Sequence, residues 1–318
     1  MYKFTFICFL ILTKYVLAFD LPPGLGPPIF QKNILSYSGS YQPKSTFQKS
    51  STESQAEVIK QNLSLKIPVF RGEKDGLNFS SSYESLDISP DIQQSSDFYN
   101  IKFGLSYNTM LDNNETMSFG FNYGSASDKP FQDSTVNTID ATATYSFPAE
   151  TDSNRWIWLL NYSNNRSFLN NLPLPGFAYM YSPSKEFRAI FGIPFATFNW
   201  KFEEPWTWNF FVLATTQLKS TLSYSLGGPV QIFSGIDFSQ HTFLQFGRVN
   251  EKERVYFAEK EIFLGFKSPI NNSFFMEIES GYSFDRTIFS AETYSLNPSN
   301  ATSIGSSWYG KLSLTAMF

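Results

Sequence analysis

Cysteine is almost missing from this 318-residue chain. The one copy, Cys8, sits in the N-terminal stretch, and His241 is the one histidine. A disulfide framework, a thiol nucleophile and a Cys/His metal centre are thereby excluded from the body of the protein. Long apolar runs are missing too. After residue 18 nothing approaches the ~20 consecutive apolar residues of a membrane-spanning helix. Charge is sparse, at 16 % of residues, with Lys+Arg 24 against Asp+Glu 28 and no basic run. Nucleic acid and a polybasic membrane anchor are poor partners for such a chain. No repeat of 20 to 50 residues, the mark of propellers and solenoids, is visible.

What is abundant is aromatic. There are 35 Phe, 17 Tyr and 6 Trp, yet mean hydropathy is −0.22. A chain that is aromatic but never continuously hydrophobic is one in which oily and polar residues alternate. Residues 1–18 stand apart. Lys3, the apolar Phe4 to Leu12 and the small-residue site Val16-Leu17-Ala18 read as a signal peptide cut after Ala18. Residues 19–33, with Pro22-Pro23-Gly24 and Gly26-Pro27-Pro28, read as a periplasmic lead-in, and 34–318 as one barrel domain.

From there the side chains follow period two. Tyr99, Ile101, Phe103, Leu105 and Tyr107 oppose Asn100, Lys102, Gly104, Ser106 and Asn108. Ile139, Ala141, Ala143, Tyr145 and Phe147 oppose Thr138, Asp140, Thr142, Thr144 and Ser146. The spacing predicts strands over 34–41, 56–70, 76–87, 98–110, 115–124, 134–147, 154–165, 187–202, 206–215, 219–226, 229–240, 254–267, 272–285 and 305–318. The connections then sort into short turns on one side and long loops on the other, the pattern of an antiparallel transmembrane β-barrel. The expected fold class is all-β, with about fourteen strands; twelve is the alternative. Pro194 lacks an N–H for a ladder and marks a bulge or an early strand end. Trp156, Trp158, Trp206, Trp208 and Trp308 suit interfacial girdles.

The last strand carries the barrel reading furthest. Trp308, Gly310, Leu312, Leu314, Ala316 and Phe318 share one face, with Tyr309, Lys311, Ser313, Thr315 and Met317 on the other. It resembles the C-terminal strand of bacterial outer-membrane barrels, where a final Phe is the signal to the barrel assembly machinery. The C-terminal two-thirds also resembles an uncharacterised family of bacterial outer-membrane β-barrels. Its matching pieces are Pro175-Gly176-Phe177, Gly192-Ile193-Pro194-Phe195, Tyr256-Phe257 with Glu259 and Leu264-Gly265, and Gly281-Tyr282-Ser283-Phe284-Asp285-Arg286. The resemblance implies a barrel in the outer membrane and carries no catalytic residues and no cofactor. Lipid and lipopolysaccharide would surround it.

Polar residues on the inner face are the candidates for function. If Ile262, Leu264 and Phe266 meet lipid, Glu259 and Glu261 point inward; on the next strand Glu277, Glu279 and Asp285 do the same, and Lys311 joins them on the last. Crowded carboxylates raise one another's pKa unless cations intervene, so Lys311, Lys267 or Arg286 is expected to pair with them. Such a wall either braces the barrel with salt bridges or tunes a pore towards cations. Loop 166–186, with Phe168, Leu172, Leu174, Phe177, Tyr179, Met180 and Tyr181, is too apolar to extend into water. It either folds into the mouth or packs on other loops. Ser239-Gln240-His241 places a hydroxyl and an imidazole on one strand face, with Asp237 or Asn250 near in sequence. The leading expectation is a porin-like channel or uptake protein for small solutes. The alternatives are a closed surface barrel that binds an external partner through long loops, and an outer-membrane hydrolase using His241.

Overall fold

The computed structural model describes residues 32–49, 52–89, 97–151, 153–213, 216–296 and 298–318. The expected signal peptide and nearly all of the lead-in lie outside them. Among the described residues the chain makes sixteen antiparallel strands: β1 Ile34–Lys49, β2 Thr52–Arg71, β3 Asp75–Ser89, β4 Asp97–Met110, β5 Thr116–Ser127, β6 Asn137–Pro148, β7 Arg155–Ser163, β8 Leu174–Tyr181, β9 Phe187–Ile193, β10 Phe195–Glu203, β11 Trp206–Leu213, β12 Gln217–Gly227, β13 Val230–Phe243, β14 Arg254–Pro269, β15 Phe274–Ala291, and β16, which runs as Thr302–Ile304 and Ser307–Met317. Each pairs with the next. The ring closes where β1 meets β16, in register from Ile34 opposite Met317 to Tyr41 opposite Gly310. Asn33 and Phe318 exchange two further backbone hydrogen bonds of 2.9 and 3.1 Å. Among the described residues the ladder runs unbroken from strand to strand around the ring, which is what a sheet in hydrocarbon requires.

The distribution of polarity is inverted relative to a water-soluble fold. Phe103, Leu105, Phe119, Phe121, Ile262, Leu264 and Leu312 are exposed on the outer face. Asn78, Asn108, Ser118, Thr138 and Thr144 are buried on the inner one. Each outward Phe or Leu is worth roughly 1.5–3 kcal/mol on leaving water for an apolar phase. This barrel is therefore stable only with lipid around it. Trp206 meets Tyr224 at 4.8 Å and Trp308 meets Tyr282 at 5.4 Å on that outer face.

Sixteen strands correct the expected fourteen, and both additional strands come from one region. Residues 166–186, expected as a loop, contain β8. Its inner face carries Ala178 and Met180, packed with Ile157, Ile190 and Phe195, so it is apolar on both sides and shows no polar alternation. The expected strand 187–202 is a hairpin, β9 and β10, folded at Pro194, with Phe191 opposite Ala196. Gly192 is needed beside it, because a Cβ there would lie 2.7 Å from the carbonyl oxygen of Phe177. The expected loop 42–55 is largely strand, since β1 and β2 pair from Ser45 opposite Ala56 up to Lys49 opposite Thr52.

The wall is uneven in height. β1 to β6 and β13 to β15 run 12 to 20 residues, whereas β8 to β11 run only 7 to 9. At the end holding the chain termini all connections are short, and at the opposite, loop end most of the long ones gather beside the tall strands. Inside the tall part, aromatic rings lie over glycines of the neighbouring strand. A Cβ on Gly281 would lie 2.6 Å from the Tyr309 ring and 2.5 Å from the Ile262 carbonyl. Gly281→Val is expected to lower stability by about 1–3 kcal/mol through overpacking, while Gly310→Ala, with open space around it, changes nothing. Denaturant unfolding in detergent micelles tests this, and equal midpoints for the two variants would refute it.

Candidate functional site

The loop end of the barrel is pinched. Phe98 on β4 stacks on Phe243 on β13, ring centroids 5.0 Å apart, although these strands belong to opposite walls. Just above, the Leu244 N–H donates to the Ala126 carbonyl at 2.6 Å. Val58, Leu86, Val255, Phe257, Ile288 and Ile304 join the two phenylalanines in one buried apolar layer. The inner-face residues of these strands turn apolar at this height, and there the two walls collapse on one another like the sheets of a sandwich. The lumen is thereby divided. One lobe, under β1, β2 and β14–β16, is filled; the other, bounded by β6–β11, keeps space, and the divide runs along β3, β4 and β13.

Beneath the apolar layer lies an ionic one. Lys60 on β2 contacts the carboxylates of both Glu259 and Glu261 on β14, the latter at 2.8 Å. Glu259 also accepts from Gln42 Nε2 at 3.2 Å and Ser283 Oγ at 3.3 Å. Arg286 donates to Gln42, to Ser45 Oγ at 2.6 Å and to the Gly305 carbonyl. It thus ties β15 to β1 and to the break in β16, and does not take up the carboxylates as expected. Nearer the termini Glu279 accepts from the Tyr309 hydroxyl at 2.8 Å and pairs with Lys311 at 3.5 Å, and Glu277 pairs loosely with Lys267 at 3.9 Å.

The five expected wall residues therefore sit on one inner surface but in two levels. Glu259 and Glu261 belong to the filled lobe; Glu277, Glu279 and Lys311 lie below it. Lys60, their strongest counter-ion, is absent from the expected set, because β2 and β14 approach only when the barrel flattens. Asp285 is a correction. It adopts φ 51° at a bulge in the β14–β15 ladder, so its side chain turns outward and pairs with Lys260 on the surface.

His241 does not meet the partners expected of a hydrolase. Asp237 pairs with Lys219 at 3.1 Å and Asn250 donates to Glu292 at 2.8 Å. The imidazole Nδ1 lies 2.6 Å from Glu84 on the facing wall, and Asn100 donates to the other oxygen of Glu84 at 3.1 Å. Among the described residues no cluster of three His, Cys, Asp or Glu could hold a metal.

The open lobe contains a cavity of about 640 Å³, within the roughly 300–1,000 Å³ that small-molecule sites occupy. Its roof is the segment after β7, residues 164–173. Asn164 caps β6 through bonds with Ile139 N and Asn137 O, and Asn165 donates to the Thr242 carbonyl at 3.3 Å. Tyr294 N donates to the Ser167 carbonyl at 3.1 Å, and Arg166 donates to the carbonyls of Asn161 and Leu172. The apolar segment is thus both a lid on the mouth and a neighbour to other loops. Beyond it the loops lean on each other: Arg248 reaches the Thr135 carbonyl at 2.7 Å, and Phe246 N the Asp128 carboxylate at 2.8 Å. In the same loops Asp133 accepts from both the backbone and the hydroxyl of Thr135, which holds its carboxyl below the usual range.

A closed barrel with an apolar exterior and a polar, charged interior defines the class: an outer-membrane-type β-barrel. No family model matches the chain, and no curated protein sequence does. Solved structures match in overall course. An outer-membrane channel from Pseudomonas putida F1 aligns over 94 % of this chain and 100 % of its own, with 7 % identity and TM-score 0.38. A Pseudomonas aeruginosa FadL homologue covers 92 % and 93 %, with 10 % identity and TM-score 0.38. The outer-membrane-expressed OmpT of Vibrio cholerae covers 91 % and 100 %, with 8 % identity and TM-score 0.33. At TM-scores of 0.33 to 0.38 and 7 to 10 % identity, these likenesses carry no argument about the role of this chain.

Removing Lys60 leaves two carboxylates facing each other in a layer where Glu259 is almost wholly buried. Lys60→Met is expected to cost about 3–5 kcal/mol. Lys267→Met, whose pair with Glu277 is loose and a third exposed, is expected to cost less than about 1 kcal/mol. Comparable losses for the two in denaturant unfolding would mean that the ionic layer is not what holds the pinched walls together.

Proposed function

We propose that this protein is an outer-membrane barrel for uptake of small solutes, with termini in the periplasm, long loops outside and a single route through the β6–β11 lobe. The observation that carries the reading is the division of the lumen. An apolar layer and an ionic layer fill one lobe, while the other retains a 640 Å³ cavity under a hydrogen-bonded roof. A purely structural barrel has no need to hold one lobe open. The terminal half of the lumen forms the exit, where Glu277 and Glu279 are paired with Lys267 and Lys311 and leave that wall close to neutral.

A second reading has support from the outer loops. Their mutual hydrogen bonds, such as Arg248 to Thr135 and Asn250 to Glu292, make a firm surface suited to an external partner. Flux separates the two. Proteoliposomes containing folded protein are expected to swell in small sugars and amino acids. Thr142→Trp, which fills the cavity from β6, is expected to slow swelling at least fivefold without altering heat-modifiable mobility. Folded protein that admits no solute in this assay would leave the surface-binding reading in its place.

A further inference from the structure

Resting on that uptake reading, we propose that the cavity takes an amphiphile with a carboxylate head, and that its apolar end is admitted sideways over the low wall. The cavity is lined unequally. Glu84, Lys102 and Asn161 on β3, β4 and β7, with Arg166 at the start of the roof, make a polar set; Phe168 and Leu169 further along the roof, with Ile193, Phe195 and Leu213 on the low wall, make an apolar one. A uniformly polar solute would leave the second set unmatched, and a hydrocarbon the first.

The charges on the polar side select the head. Glu84 is matched by His241 at 2.6 Å, and Lys102 by Asp140, which lies behind it, at 3.5 Å. Arg166 donates to two backbone carbonyls, and no carboxylate among the described residues forms an ion pair with it. With only neutral hydrogen-bond partners, and with Asp140, the acid whose charge reaches it, already held by Lys102, this guanidinium on the cavity wall is a seat for an anion, and its planar fork fits a carboxylate.

The low wall supplies the sideways entry. A tilted strand needs about 9–11 residues to cross the hydrocarbon, and β8, β9, β10 and β11 have 8, 7, 9 and 8. The hairpin tip therefore stands at the membrane boundary. Ile193 lies there opposite Phe177, in the lipid-facing row, is 76 % exposed and yet lines the cavity. Above Ser239, β13 has no ladder partner on the β12 side among the described residues, where β12 begins at Gln217. The gap is spanned by the roof segment, whose Leu169 and Leu172 are both about half exposed.

The test uses the barrel in lipid nanodiscs, free of detergent, with 11-(dansylamino)undecanoate as fluorescent probe and empty nanodiscs as the blank. Saturable binding above the blank is expected, displaced by decanoate and at least tenfold less well by decyltrimethylammonium. Arg166→Gln should weaken binding at least fivefold and Arg166→Lys restore much of it. Because Arg166 also ties the roof, Leu159→Trp is the independent check; it fills the cavity from β7 and should weaken binding as much. No binding above the blank, equal displacement by the ammonium, or indifference to both Arg166→Gln and Leu159→Trp would overturn the proposal. Swelling that is blocked by Thr142→Trp, with no amphiphile bound, would refute this substrate class and leave the uptake reading standing; loss of both would remove the two together.

Discussion

Every backbone N–H and C=O that faces hydrocarbon must find its partner within the protein, because an unpaired one costs several kcal/mol there. In this chain the requirement is met by the ladder between β1 and β16, which runs from Ile34 opposite Met317 upward and is extended by the two bonds between Asn33 and Phe318. Once that seam is closed, side-chain direction is settled for every strand. Odd and even positions become lipid and lumen, and a register slip on any strand would reverse them. The exposed row of Phe103, Leu105 and Tyr107 and the inward row of Lys102, Gly104 and Ser106 are two results of one closure.

Closure alone leaves a wide lumen. What narrows it is a change in inner-face chemistry with height. Towards the termini the inner residues are Ser, Thr, Asn and paired charges, which keep water. Towards the loops they become Val58, Leu86, Phe98, Phe243 and Ile288, and these cannot line a wet bore, so the two walls meet. Flattening brings Lys60 to Glu259 and Glu84 to His241, groups too far apart in a round barrel to touch. The ionic layer is thus a consequence of the apolar layer above it. It is also its brace, since buried carboxylates deprived of their cation would pull water between the walls.

Much of this architecture is legible in the alternation of residues. Where the inner face is polar, as in β4, β5, β6 and β14, period two is plain and the strands lie close to where the pattern puts them. It fails where the inner face is itself apolar. Ala178 and Met180 on β8 and Ile190 on β9 erase the contrast on which the pattern depends, so that β8 looks like loop and β9 like half of a longer strand. Pro194 gives the right signal, an interrupted ladder, but a hairpin and a bulge differ only in whether the chain reverses. Glu259, Glu261, Glu277 and Glu279 can be assigned a face from parity. Their counter-ions cannot, because Lys60 and Glu259 are 199 residues apart in the chain. Parity puts Asp285 on the wrong face because one left-handed residue shifts the alternation along the rest of its strand, and an Asp tolerates that conformation without announcing it.

The short strands β8 to β11 give the open lobe its physical reason. Tall walls can fold onto one another above the membrane, since both have inner surface to bury. A wall that stops at the membrane boundary has nothing with which to meet its opposite, so the space in front of it stays open. The roof segment covers that space without filling it: its polar residues Asn164, Asn165 and Arg166 are engaged by caps and carbonyls of β6, β7 and β13, which leaves Phe168, Leu169 and Leu172 for the cavity and the rim. One lobe is closed by height and the other kept open by its absence. The same shortening that makes the cavity also brings its apolar edge to the level of the surrounding lipid.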